Sequence, residues 1–352
     1  MARPLLRCTT LWGRADWIEA PPALVPVRDA LLVPPRPEGA WGLFSGPTRI
    51  GDAGRDLAPG ERLPEGTPSA LGRALYLGPI AWHYGHFLLN TLPRLWPLIG
   101  WEGERPALLC HRPGPVQDAH WAGFGAAIFG RLGYELDELE SPGAPLRLAE
   151  VLVPAPSLTE QSSVHAVFGD LCRAIGRPYW EGERQERFLY LSKTRLGAGI
   201  ARIVNEDALE AELARRGVAI AHPETLRFPE QVRLLSAHPV VLGSAGSAFH
   251  TTAFAAPGRR VVGLNWQPAL NANFALVDRV AGTRARYYHA PDTRYVTRAG
   301  FDVAWELPDP KGTAAALLRK AERLARDAPD TDGPLAGLRQ VLARSLRPIR
   351  GR

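Results

Sequence analysis

Between Phe188 and Val280, short apolar runs alternate with helix-forming stretches, an order that leaves few architectures open. Phe188, Leu189, Tyr190 and Leu191 form the continuous apolar run expected of a strand buried on both faces. A helix is expected next. Asn205 stands at its N-cap, Glu206 and Asp207 complement the dipole in its first turn, and Gly217 ends it. Val218, Ala219 and Ile220 read as a strand, and residues 229–237 as a helix with Pro229 in its first turn. Strands at 240–242 and 260–264 then alternate with helices at 247–255 and 273–280. Such alternation implies a parallel sheet with right-handed crossovers.

A similar order runs through the first half from Arg73. Strands are expected at 74–77, 107–110 and 146–153, and helices at 83–98, 117–132 and 164–175. Residues 1–72 read as irregular, with one short strand at 31–33 and a Pro- and Gly-rich stretch at 34–68. Two α/β halves with a cleft between them follow. The expected divisions are a first domain over 1–178, a second, Rossmann-like domain over 179–310, and C-terminal helices over 311–352. The helices expected at 314–328 and 335–346 are amphipathic and Arg-rich, and are expected to pack across both domains.

The helix at 83–98 has a polar side as well as an apolar one. Phe87, Leu88, Thr91, Leu92, Leu95 and Leu98 fall at helical spacing and make a buried face. His86, Asn90 and Arg94 follow one another at i, i+4 and i+8, with His83 just before the start. An imidazole, an amide and a guanidinium in one row suit the wall of a polar cleft. Pro93 removes one backbone hydrogen bond from the helix and kinks it.

The remaining composition narrows the function classes. The 352 residues are 45% hydrophobic and 22% charged, as in a soluble globular protein. The net charge of +6 suits phosphate-bearing ligands or an anionic membrane surface. No long Lys/Arg run or basic-aromatic repeat points to nucleic acid. Cys8, Cys110 and Cys172 are far apart and form no metal or disulfide pattern, which fits a reducing cytoplasm. Residues 1–8 lack the apolar core of a secretory leader, and no run is long enough to span a bilayer. The expectation is a cytoplasmic protein whose membrane contact, at the inner membrane surface, is peripheral.

In open parallel sheets, ligands bind beyond the carboxyl ends of the strands. Three loops of the second half leave from such ends. The first carries Lys193, Arg195 and Arg202 ahead of a helix N-terminus, a set suited to a diphosphate. The second runs from His222 and Glu224 to Glu230 and Gln231. The third holds Gly243, Ser244, Ala245, Gly246 and Ser247 before His250, small residues that let a phosphate or ribose approach the backbone.

Taken together, these motifs resemble glycosyltransferase family 61. The run from His83 to Trp96 looks like the N-terminal signature of that family. The later series is similar in order and spacing: Tyr190 to Lys193, Arg202 to Glu206, Pro223 to Leu226, Glu230 with Gln231, and Gly243 to His250. The nearest likeness is to bacterial members of capsule, exopolysaccharide or lipopolysaccharide synthesis. The resemblance implies a GT-B-like α/β architecture with two Rossmann-like domains facing a central cleft, the acceptor-side domain over 1–178 and the nucleotide-sugar-binding domain over 179–310. It implies transfer of a sugar, with inversion, from a nucleotide donor, UDP by default, to a glycan or lipid-linked glycan. Three departures stand out. The family often has Ser-Arg at Ser192 and Lys193, and His-Gly at Ala245 and Gly246, which leaves His250 as the candidate donor-side imidazole. Asn90 stands where an acid is common, so it is not cast as the base.

On this reading His86 is the base, with His83 second. Lys193, Arg195 and Arg202 neutralise the leaving diphosphate, together with Gly243, Ser244, Gly246 and Ser247. Glu230 holds a ribose hydroxyl beside Gln231 and Asn205, while Asn90 and Arg94 face the acceptor. No metal and no further cofactor are expected: the one Asp-x-Asp triplet, Asp330 to Asp332, lies in a late polar loop. Two other readings differ in class. One is a non-catalytic relative that binds a glycan or nucleotide. The other is a metal-dependent hydrolase using His83, His86 and His111, which lacks the Glu that a zincin helix needs.

Overall fold

A computed structural model describes residues 4–112, 119–197, 200–299 and 302–327. It forms a mixed α/β protein of two compact units, Ala15–Arg177 and Met1–Arg14 with Pro178–Arg352. The helix expected at 335–346 and the Asp330 to Asp332 triplet lie outside the described residues.

The unit Ala15–Arg177 is built on a mixed sheet. Its main strands are β1 (Leu24–Val33), β2 (Trp41–Ser45), β3 (Thr48–Arg55), β4 (Ala74–Pro79), β5 (Ala107–His111) and β6 (Leu146–Pro154). Their order is β5-β4-β6-β1-β2-β3, with the short strand Leu139–Glu140 beyond β5. β4 runs parallel to β5 and β6, whereas β1, β2 and β3 form an antiparallel meander joined to β6. The expectation of irregular structure before residue 73 is therefore corrected. Only the end of β1, the short strand expected at 31–33, is legible in the sequence, because Pro26 interrupts the apolar pattern before it. Pro26 pairs with Leu152 of β6, while β2 reaches only Ala30–Val33, so the missing N–H falls where β2 does not pair. In the same strand, Ala30 and Leu32 face one core, with Leu43, Tyr76, Leu109 and Val151, and Leu31 and Val33 face another with Phe44.

The crossover from β4 to β5 is not one helix. It passes from an α-turn, Tyr84–His86, through a π-helical turn, Phe87–Thr91, to 3-10 turns at Leu92–Arg94 and Trp96–Leu98. Pro93 and Pro97, each lacking an N–H, prevent a continuous α-helix. The backbone N–H and the hydroxyl of Ser157 both donate to the Pro93 carbonyl, at 2.9 and 2.8 Å. Phe87, Leu92 and Leu95 are fully buried, and Phe87 packs edge-on against Trp121 on helix α1 (Ala119–Arg131). Helix α2 (Ala166–Gly176) closes the unit.

The other unit carries a doubly wound parallel sheet. Its strands are β7 (Leu189–Leu191), β8 (Ala219–Ala221), β9 (Val240–Ser244), β10 (Arg260–Asn265) and β11 (Arg284–His289). The order β8-β7-β9-β10-β11 reverses direction between β7 and β9. Residues 1–14 belong to this unit, and Leu6–Arg7 adds an antiparallel edge beside β11. Helices α3 (Glu206–Arg215), α4 (Phe228–Ala237), α5 (Ala272–Ala281) and α6 (Pro310–Ala325) complete it. The buried face of α6, through Leu317, Ala321 and Leu324, joins Tyr190, Leu242, Val262 and Tyr288 in one core of this unit.

Gly263 marks where that packing is tightest. A Cβ there would lie 2.3 Å from the Tyr287 ring, whose hydroxyl donates to Asp278 at 3.0 Å. Gly263→Ala is expected to cost about 1–3 kcal/mol through overpacking. The cost is read as a lower urea midpoint at unchanged slope; an unmoved midpoint would mean that the ring shifts aside freely.

Candidate functional site

The strand register brings the predicted loops of the doubly wound sheet to one edge. Leu191 pairs with both Ala221 and Gly243, and Ser244 with Leu264, so the chain after β7, β8, β9 and β10 leaves on the same side. The reversal between β7 and β9 puts Ser192 and Lys193 opposite Ser244, Ala245 and Gly246, where such sheets bind ligands.

Lys193 is the centre of this edge. Its Nζ donates to the carbonyls of Ala245 at 3.1 Å and Ala201 at 3.4 Å. A Cβ on Gly246 would lie 2.5 Å from Nζ, so glycine at 246 leaves room for the ammonium. Burial brings the Lys193 pKa down to about 8, against the pull of Glu206 and Glu224. Below it, Glu206 Oε1 accepts from the Tyr190 hydroxyl at 2.6 Å and from the Lys193 N–H at 3.3 Å.

A second polar cluster fixes the backbone beside Lys193. Glu210 Oε2 accepts from the hydroxyls of Ser192 at 2.6 Å and Thr194 at 2.8 Å, and lies 3.2 Å from His222 Nε2. Burial raises the Glu210 pKa, but these three neighbours outweigh it and hold the carboxyl below its ordinary value.

Three buried polar atoms on these loops have no hydrogen-bond partner: Ser244 Oγ, His250 Nδ1 and Glu224 Oε1. Buried polar groups are nearly always paired, so each of these atoms calls for a partner such as water, an ion or a ligand. Ser244 ends β9. His250 lies in the 3-10 helix Ser247–Phe254, its ring 5.0 Å from that of Phe274. Gly243 packs closely, since a Cβ there would lie 3.0 Å from the Leu191 carbonyl.

Other predicted residues of this edge are occupied by the protein itself. Asn205 takes the N-cap position of α3 without capping it; its amide instead exchanges two hydrogen bonds with the backbone of Leu307, at 2.9 and 3.0 Å. Gln231 donates to the carbonyls of Pro223 and Leu226 and so ties down the loop that carries Glu224. Glu230 forms a capping box with Arg227, whose side chain and N–H both donate to its carboxylate. Arg195 is exposed, and Arg202 is half-buried beside the buried Ala201.

In the unit Ala15–Arg177, the predicted polar row is broken by the π and 3-10 turns. His83, His86 and Asn90 are exposed, with the two imidazole rings 5.4 Å apart. Arg94 instead turns inward, donating to the Asn90 carbonyl and, at 2.6 and 2.7 Å, to Asp52. It braces the segment. The sequence reading missed Glu160, whose Oε1 accepts from Asn90 Nδ2 at 2.7 Å and lies 3.9 Å from His86 Nδ1. Seventy residues separate Glu160 from Asn90, and no local pattern marks it. His111 is fully buried, edge-on to Trp41 and Tyr76. Among the described residues, no three His, Cys, Asp or Glu side chains form a metal-holding group.

Residues 84–262 match the family model described as Glycosyltransferase 61. No curated protein matches the chain.

His250 makes the fold of this edge acid-sensitive. Burial lowers its pKa to about 4 from an ordinary 6.5. Between those values the unfolded chain takes up a proton that the folded one refuses. Unfolding free energy therefore falls as pH drops through this window, by on the order of 3 kcal/mol. His250→Phe is expected to flatten that part of the profile in melting curves between pH 7 and pH 4.5; a slope that matches the parent would overturn this.

Proposed function

The chain belongs to glycosyltransferase family 61, and we propose that it moves a sugar, with inversion, from a UDP-sugar to a glycan or lipid-linked glycan of a bacterial surface polysaccharide. The observation that carries this reading is the switch-point edge of the doubly wound sheet. There Lys193 lies against the Ala245–Gly246 turn, amid three unpartnered buried polar atoms. The GT-B-like organisation enters as a division of roles, with the doubly wound unit taking the nucleotide and the mixed-sheet unit the acceptor.

Inversion takes a single displacement. An acceptor hydroxyl oxygen bonds to the anomeric carbon as the bond from that carbon to the diphosphate oxygen breaks. The hydroxyl proton passes to His86, or in its place His83, and the electron pair leaves with the diphosphate. Glu160 supports a positive His86 from 3.9 Å and, through Asn90, is itself held in place. Lys193, Arg195 and Arg202 stabilise the departing charge, while Ser244 Oγ and His250 supply polar contacts to the nucleotide. Glu224 is the better-placed carboxylate for a ribose hydroxyl, since Glu230 is engaged by Arg227. The reaction needs no metal on this proposal. Among the described residues no helix is long and apolar enough to cross a membrane; a cytoplasmic protein with peripheral contact to an anionic surface fits the +6 charge.

Two measurements test the proposal. Thermal shift against UDP, GDP, CDP, CMP, TDP and their sugar conjugates is expected to pick out one nucleotide family, with and without EDTA; no shift with any of them would sink the nucleotide-sugar reading. In a transfer assay, His86→Ala is expected to lower kcat by about 10²–10⁴ while nucleotide binding holds, and full turnover would reassign the base.

Nucleotide affinity should also depend on pH. Lys193 loses its charge as pH rises through about 8, so UDP binding is expected to weaken by about tenfold between pH 7 and pH 9.5. Lys193→Arg, which stays charged, should remove the dependence in titration calorimetry; a pH-independent parent would contradict the role of Lys193.

A further inference from the structure

The unit Ala15–Arg177 has an open cavity of about 570 Å³ whose lining includes neither His83 nor His86. Arg73 borders it just before β4 begins, whereas His83 follows the end of that strand. The six residues of β4 therefore separate Arg73 from the segment that begins at His83 by roughly 20 Å, while Leu24 and Trp96 line the cavity nearer the other end of β4. Trp96 and Trp101, which also line the cavity, come after the crossover has returned along the sheet.

The lining has a definite chemistry. The indole N–H of Trp96 donates to the Ala155 carbonyl at 3.0 Å, and that of Trp101 to the Glu104 carbonyl at 2.9 Å. With their polar edges engaged, both rings offer the cavity hydrocarbon. The Arg73 guanidinium lies 5.8 Å from the Trp101 ring centre and helps to hold that ring. Glu102 and Asp170 add exposed carboxylates, and Asp170 Oδ1 also accepts from Arg173 at 2.6 Å.

Aromatic carbon next to hydrogen-bond acceptors matches a pyranose, which has a C–H face and a rim of hydroxyl donors. The cavity volume is in the range of small-ligand sites. With Arg173 bonded to Asp170, the charges of Arg73, Arg173, Glu102 and Asp170 sum to zero, so the cavity has no net positive charge to hold a nucleotide diphosphate or an anionic headgroup. A hydrocarbon tail would strip water from those charges and give them nothing in return.

We infer that this cavity is a carbohydrate subsite, separate from the His86 face, that binds neutral sugar units of the acceptor chain remote from its reacting end; its assignment to the acceptor rests on the transferase reading. Such a subsite lets the enzyme select a chain by length and composition, with binding energy gathered far from the chemistry.

The test uses the whole protein with no donor present. Soluble linear oligomers of glucose, galactose and N-acetylglucosamine are titrated by calorimetry, with saturation-transfer NMR to identify the sugars in contact. At least one oligomer is expected to bind, and Trp101→Ala to weaken it about tenfold or more. Asp170→Asn, at an exposed position that leaves folding untouched, is expected to weaken it as well, and Trp101→Phe to retain part of the affinity. Binding by no oligomer, or binding indifferent to both Trp101→Ala and Asp170→Asn, would overturn the subsite. Nucleotide thermal shifts are read separately, so a failed transferase reading with intact glycan binding is distinguishable from a failed subsite.

Discussion

Glu206 sits in the first turn of α3 with its carboxylate buried beneath the end of β7, where the Tyr190 hydroxyl and the Lys193 N–H both donate to it. Burial pushes this carboxyl up and the Lys193 ammonium down, each toward its neutral form, while their mutual attraction opposes both shifts. Removing either partner would leave the other as an uncompensated buried charge. The path of the chain after β7, and with it the direction of the Lys193 side chain, depends on this arrangement. Glu210 repeats the device one turn later, gathering Ser192, Thr194 and His222.

Two departures from the family pattern meet at that point. They are Lys193 and Ala245, noted in the sequence against the resemblance to the family. In this chain Nζ of the first is bonded to the carbonyl of the second, and Gly246 leaves the space the ammonium fills. They are parts of one local packing solution.

The doubly wound sheet was legible because its strands are buried on both faces and read as unbroken apolar runs, as at Leu189 to Leu191 and Val240 to Leu242. The mixed sheet was less so: Pro26 breaks the longest strand of its antiparallel part, and pairing with β6 comes from more than a hundred residues away. The same division holds at the candidate site. The loops after β7 and β9 could be found from spacing, since strand ends are local features. The partners that decide what each side chain does were not local. Asn205 is bound to Leu307, Arg94 to Asp52, and Asn90 to Glu160, all through contacts that no window of sequence contains. Gln231 and Glu230 sit where expected, yet they hold the loop and the helix start.

The π-helical turn at Phe87–Thr91 has an evolutionary consequence. A π turn holds one residue more than an α turn, and it persists mainly where that extra residue serves a site. Losing one residue here would remove the π turn but rotate His86 and Asn90 relative to Glu160, and Arg94 relative to Asp52. Length in this segment is therefore a tighter constraint on its geometry than the identity of its apolar residues. Lineages that keep the chemistry should tolerate exchanges among its apolar residues long before they tolerate an insertion or a deletion.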